Sequence, residues 1–301
     1  MTAPAVLDRH RTPTRRETRA PERSGPAWGR IVPTVVLLIG AVYCLIPVVW
    51  VFVASSKSPG ELFSSFTFAP GTGLWGNLTA LFSYGNGQFG SWALNSVLYA
   101  GLGGLLSTIV SAAAGYGLAK YEFRGRALVF YCILGGVLIP GITLAIPQYL
   151  LLSDFGLAGS RLSVLLPVII SPFGIYLCRV YAAATIPSDT IEAARIDGAS
   201  EFRIFRSIAV PLLVPGMVTV FMLQFVGIWN NFLLPFVMLS DQGSYPLTVG
   251  LYTLVSKGSG TPALYSLAIT GAAVSIIPLV VLMLVLQRFW RLDLLSGGLK
   301  G

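Results

Sequence analysis

What this chain most lacks is charge. Only 11% of its 301 residues are Asp, Glu, Lys or Arg, while 54% are hydrophobic. Soluble domains carry roughly one-quarter charged residues, so a water-soluble globular protein is excluded and a membrane protein is indicated. Histidine is nearly absent. The one His, His10, lies in an Arg-rich N-terminal arm, which leaves nowhere to build His-based catalysis or a His metal site. Cysteine is scarce as well: Cys44, Cys132 and Cys178 show no paired spacing, and each sits in apolar sequence, where it reads as a small buried hydrophobe. No G-x-x-x-x-G-K-[ST] loop occurs, nor a G-x-G-x-x-G after a strand pattern, so this chain does not itself cradle ATP or a dinucleotide. No catalytic residue, metal ligand or cofactor site is expected.

What is present is a series of long apolar blocks. Six helical spans are predicted, near 31–54, 93–118, 128–150, 162–178, 212–234 and 264–287, each long enough to cross a bilayer. Span two carries Gly103, Ser107, Ser111 and Gly115 every four residues, a small-residue stripe that lets helices approach closely. Span three is interrupted by Pro140 and Pro147, and span four by Pro167 and Pro172, so kinks are expected there. None of the six contains Asp, Glu, Lys or Arg, whereas ion-coupled carriers usually bury such groups. This counts against a secondary transporter, the principal alternative; a channel stays open on this count. Residues 57–91 form a mixed loop expected to pack on the outer face, and 241–261 form the last polar connection.

Basic residues fall on one side. Seven of the 20, from Arg9 to Arg30, lie in the first thirty positions, an arm without apolar periodicity that reads as a disordered tail over 1–29. Such an arm could contact nucleic acid, but ahead of a membrane span it is read as a cytoplasmic end beside anionic lipid. Alternate connections hold 17 Lys and Arg on the side of the N-terminus and 3 on the other, so both termini are assigned to the cytoplasm. The rest, 30–301, reads as a single membrane domain with its core at about 91–287.

One polar island stands out in the second half, IPSDTIEAARIDGASEFRIFRSIAVP over 186–211. Asp189, with Glu192 three residues on, can cap a short helix that runs to Asp197, and Gly198 offers the left-handed stop. Ser200 can cap a second helix, in which Phe202, Phe205 and Ile208 recur at helical spacing beside Arg203 and Arg206. The unit lies at a surface with its apolar face toward a partner protein, or rests on the bilayer as an amphipathic segment.

Glu192-Ala193-Ala194, three residues, Gly198, nine residues and Ile208-Ala209-Val210-Pro211 resemble the EAA signature of the membrane-spanning subunits of ATP-binding-cassette importers, with Val210 where Leu is usual. The wording EAARIDGAS is most similar to the maltose-type carbohydrate permeases. The resemblance, which covers about 31–301, implies an all-α, six-span type I importer permease in a bacterial inner membrane. It also implies a heterodimer with a second permease, two cytoplasmic ATPase subunits and an extracytoplasmic sugar-binding protein. The 186–211 unit would then be the coupling loop, with Glu192, Ala193, Ala194, Gly198, Phe202, Ile208 and Pro211 as its docking residues. The C-terminal RFWRLDLLSGGLKG resembles the short cytoplasmic tail of that family.

Two further stretches, 146–167 and WNNFLLP at 229–235, resemble carbohydrate permeases. Sugars are held by aromatic stacking and by amides that donate and accept at once, which makes Gln148, Gln224, Trp229, Asn230 and Asn231 candidate pathway residues. Trp229 equally suits an interfacial belt, and the Asn pair a helix-to-helix hydrogen bond.

Overall fold

The computed structural model describes residues 28–64, 68–258 and 261–297. The expected disordered tail lies almost wholly outside them, as do the last four residues. Contacts divide the chain into two units, with the boundary between Val48 and Val49 inside the first helix, α1 (Trp28–Ser55). The described part of the first unit is helix alone. Its Leu37 and Tyr43 are more than two-thirds exposed, as suits a helix whose solvent is hydrocarbon.

In the second unit every described element is helical or a turn. Two short helices, α2 (Pro59–Ser64) and α3 (Leu74–Ser83), occupy what the sequence suggested was a mixed loop. Asn77 organises it: its buried side-chain amide donates to the carbonyls of Ser55 and Lys57, both at 2.8 Å.

The centre of the fold is α4 (Gln88–Lys120). Its 33 residues make a rod of roughly 50 Å at 1.5 Å per residue, longer than the hydrocarbon core, so both ends project into polar surroundings. The small-residue stripe is buried along its length: Ser107 and Ser111 have no exposed surface. A Cβ built on Gly115 would stand 2.6 Å from the Arg179 amide nitrogen, and one on Gly103 2.9 Å from Val168. These are the close approaches that the four-residue spacing anticipated. The helices so admitted are α7 (Arg161–Ile169), α8 (Pro172–Thr185) and α11 (Val210–Trp229), the last meeting the stripe at Gly103 and Ser107.

The third predicted span is not one straight helix. It is α5 (Arg126–Leu138) and α6 (Gly141–Asp154), bent by 105° where Ile139 turns extended ahead of Pro140. Proline disfavours helical backbone in the residue before it and supplies no N–H, so the break falls there, whereas Pro147 is absorbed inside α6. Among the described residues five helices are long and apolar enough to span, and the bent pair makes the sixth if it is one span. The α7–α8 break has the same cause: Ile170 is extended, Pro172 opens α8, and Ser171 Oγ accepts from the Gly174 amide at 3.0 Å.

Four further expectations are corrected. Span five ends at Trp229, so 233–238 form a separate short helix, α12 (Leu233–Met238). The last polar connection contains α13 (Leu247–Lys257), and α14 (Pro262–Gly297) carries the chain through most of the tail. Arg179 falls six residues inside α8, so one span does hold a cation. Of the cysteines only Cys178 is buried; Cys44 and Cys132 are exposed, because apolar side chains of a bilayer protein have no need to face inward.

At the N-terminal end of α4, polar side chains clamp the connection before α13. Trp92 donates to the Gln242 carbonyl at 3.1 Å, Asn95 to the Gly243 carbonyl at 2.8 Å, and Tyr99 to the Ser244 carbonyl at 2.8 Å. Each satisfies a backbone acceptor of that connection and so fixes it to α4.

Candidate functional site

The polar island folds as a helix, a glycine turn and a second helix. The first, α9 (Ser188–Ile196), starts behind Pro187, and neither Asp189 nor any other side chain caps it. Proline at that position already fixes the entry and has no N–H to satisfy. The helix ends as the sequence suggested: Gly198 has φ +78°, its amide donates to the Arg195 carbonyl and that of Ala199 to the Ala194 carbonyl, both at 3.0 Å. This is the Schellman pattern, which a left-handed glycine closes. Ser200 then accepts from the Arg203 amide at 3.4 Å and opens α10 (Glu201–Ile204). A single π turn over Phe205–Ala209 joins α10 to α11 without a break, so the second half of the unit is the root of span five.

The unit has two faces. Ile191, Ile204 and Ala209 are buried against Tyr116, Ala182 and Leu213, with Ala194 and Ile208 packed at the edge. On the other face Ile196 is 87% and Phe202 73% exposed, on either side of Gly198, with Glu192, Ala193 and Pro211 also exposed. Two large apolar side chains thus stand exposed among charges.

Three residues absent from the sequence-derived set hold this unit in place. Glu201 receives Arg195 Nε at 2.7 Å and Arg195 Nη2 at 3.2 Å, a two-pronged pair across the glycine turn. Tyr121, just past the end of α4, donates to Glu201 Oε2 at 2.6 Å. Burial pushes the Tyr121 phenol above its usual range, and the bond to Glu201 adds to this, so it stays a donor. A depression of about 490 Å³ between the two segments is lined by Lys120, Tyr121, Glu192 and Arg195. In the sequence, Lys120, Arg124 and Arg126 mark a short basic turn around Tyr121, but the partner of Tyr121 lies eighty positions away.

The five pathway candidates do not form one cluster. Gln148 of α6 and Asn231 line a single cavity of about 340 Å³ with Gly141, Leu144 and Pro167. Asn231 also accepts from the Leu234 amide at 3.2 Å, which starts α12. Asn230 is exposed and donates to the Val226 carbonyl at 2.9 Å. Gln224 donates to Ser107 at 2.8 Å within the α4–α11 contact. Trp229 is only 4% exposed, stacked on Phe225 with 5.6 Å between ring centres, inside an apolar cluster.

Comparison with known proteins gives one answer. Residues 104–291 match the family described as the binding-protein-dependent transport system inner membrane component. The arabinooligosaccharides transport system permease protein AraQ of Bacillus subtilis (strain 168) is 31% identical over 90% of this chain and 96% of its own length. The diacetylchitobiose uptake system permease protein NgcG of Streptomyces coelicolor is 31% identical over 84% of this chain and 83% of its own. Among solved structures, a chain of a bacterial ABC transporter involved in the import of the acidic polysaccharide alginate superimposes with a TM-score of 0.75. The two chains are 25% identical, over 87% of this chain and 96% of that one. The EAA unit is typical of such permeases, and the fold is that of a type I importer permease. This multi-pass chain belongs to the family of binding-protein-dependent transport system inner membrane components.

Proposed function

We propose that this permease forms half of the pathway of a carbohydrate importer, paired with a second, similar permease and driven by two cytoplasmic ATPase subunits. A solute-binding protein outside the membrane delivers the sugar. The observation that carries the proposal is the two-faced EAA unit: α9 and α10 are fixed to the end of α4 by Tyr121–Glu201 and to α11 through a continuous helix, while Ile196 and Phe202 stand open to a partner. Motion of a docked ATPase at that surface is thereby passed to two long spans.

Carbohydrate as the cargo is supported by the relatives named for arabinooligosaccharides and diacetylchitobiose and by the alginate importer. The amides of Gln148 and Asn231, facing one cavity, supply donors and acceptors suited to sugar hydroxyls. The cytoplasmic side of the EAA unit is supported by the charge count and by the hydrogen bond that keeps the basic turn 120–126 at the same end of α4. The test is purification with co-expressed neighbouring subunits and an ATPase assay over a panel of mono- and oligosaccharides. At least one sugar, presented by the binding protein, is expected to stimulate hydrolysis. Hydrolysis unmoved by the entire panel would reject carbohydrate as the cargo.

A further inference from the structure

Arg179 is the cation that the sequence pattern placed outside the spans and the fold places inside one. Its guanidinium lies 3.8 Å above the Phe130 ring, which covers one face of the charge. Its Nε is buried and meets no acceptor among the described residues. A buried donor left unpaired is costly, and a buried cation more so. Arg126, in the first turn of α5, lines the same groove, of about 510 Å³, together with Phe123, Phe130 and Tyr131. Arg126 gives one N–H to the Tyr121 carbonyl at 3.3 Å and retains further donors. The lining contains no carboxylate, and the ion pair found among the described residues is elsewhere, between Arg195 and Glu201.

Two guanidinium groups facing one groove repel each other, and an anion between them removes the repulsion. Guanidinium meets phosphate, as it meets carboxylate, in two-pronged geometry. The rest of the ligand is set by the walls. Phe123 and Tyr131 of its lining are 47% and 66% exposed, a surface that suits hydrocarbon. Depth agrees: Arg179 lies six residues from the end of α8, roughly 9 Å along the axis, near the level where headgroups begin. Basic pockets between spans are known places for anionic headgroups. We infer that the groove between α5 and α8 holds the phosphate of an anionic phospholipid, with Arg126 and Arg179 as its ligands and Phe130 and Tyr131 against the glycerol and upper acyl chains. Lipid bound there braces α5, the half of the bent span that packs on α8.

The experiment uses the assembled transporter in nanodiscs doped with photoactivatable phosphatidylglycerol or, in parallel, photoactivatable phosphatidylcholine, with labelled peptides mapped by mass spectrometry. Phosphatidylglycerol is expected to label peptides covering 123–131 and 173–180 about fivefold more than phosphatidylcholine. Arg179→Gln and Arg126→Gln are each expected to remove that excess. Arg126, at the helix start, keeps the test open if the Arg179 variant does not assemble. Equal labelling by both lipids, or an excess that survives both substitutions, would overturn the inference. So would loss of labelling in millimolar inorganic phosphate, which would assign the groove to a free anion. Cross-links from these peptides to the second permease in place of lipid would make it a subunit contact and also overturn the inference. None of these readouts depends on the cargo or on transport.

Discussion

Tyr121 donates a 2.6 Å hydrogen bond to Glu201, tying the end of α4 to the start of α10 across eighty positions of chain. Glu201 also receives both prongs of Arg195 from α9, so a single carboxylate joins three segments. Tyr121 is half-buried, but Arg195 and Glu201 are exposed, where an ion pair adds little to global stability. Their consequence is positional. Tyr121→Phe and Glu201→Gln are expected to leave insertion and pairing with the second permease unchanged, while sugar-stimulated hydrolysis falls by more than basal hydrolysis. The check is the ratio of stimulated to basal ATPase rates in proteoliposomes; a ratio equal to wild type in both variants would remove the positional role.

Gly198 is strained for any other residue by its backbone, not by crowding, since nothing lies within 4 Å of a Cβ built there. The left-handed conformation costs a non-glycine residue about 1–2 kcal/mol. Gly198→Val is therefore expected to tilt α9 without unfolding the spans, so that the protein inserts and pairs normally but retains less ATPase in pull-downs. Wild-type docking and uptake in this variant would remove the coupling role.

Ile196 and Phe202 are exposed in the chain alone and, if the ATPase covers them, become buried on docking. Phe202→Ala is expected to weaken ATPase retention by about 2 kcal/mol, roughly thirtyfold, as for an aromatic anchor in an interface. Titration of detached ATPase onto the permease pair measures it, and an unchanged affinity would place the docking surface elsewhere.

Gln148 and Trp229 should part company. Gln148→Ala opens a cavity side chain without touching a core, and is expected to lower uptake while the melting temperature stays at the wild-type value. Trp229→Ala removes a 4%-exposed ring from an apolar cluster and is expected to cost about 3–5 kcal/mol of stability. Thermal unfolding of the purified complex, set beside uptake, separates the two. A stable Trp229→Ala variant with lost uptake would return Trp229 to the pathway.

Gly115 faces backbone, not a movable side chain, so Gly115→Val must displace α8 from α4. Overpacking of that kind is expected to cost about 1–3 kcal/mol and to lower the melting temperature with no specific effect on ATPase docking.

Orientation has its own test. Reporters active only outside the cell are expected to be active near Gly71 and Gly258 and silent near Lys120. The reverse pattern would invert the topology.

Much of this was legible in the order of residues. Helix positions follow from apolar length, the α4 contact from four small residues in register, and the turn of the EAA unit from Gly198 and Ser200, because each depends on near neighbours alone. The break at Pro140 was visible, but not its 105°, since a proline removes a hydrogen bond without setting the direction of the next helix. Trp229 and Asn231 are two positions apart and look alike as sugar-binding candidates. The end of α11 between them sends one ring into a core and one amide toward a cavity, and that choice rests on α4 and α6, far away in sequence.

Composition and local pattern by themselves determined a helical membrane chain, its hinges and its EAA unit, because in hydrocarbon each span must satisfy its own backbone. Tertiary structure alone decided that Tyr121 and Arg195 share Glu201, that Cys178 is buried while Cys44 is not, and that Arg179 sits within a span above Phe130. Those outcomes are set by which helix faces meet, and a side chain carries no local record of the neighbour that packing will bring to it.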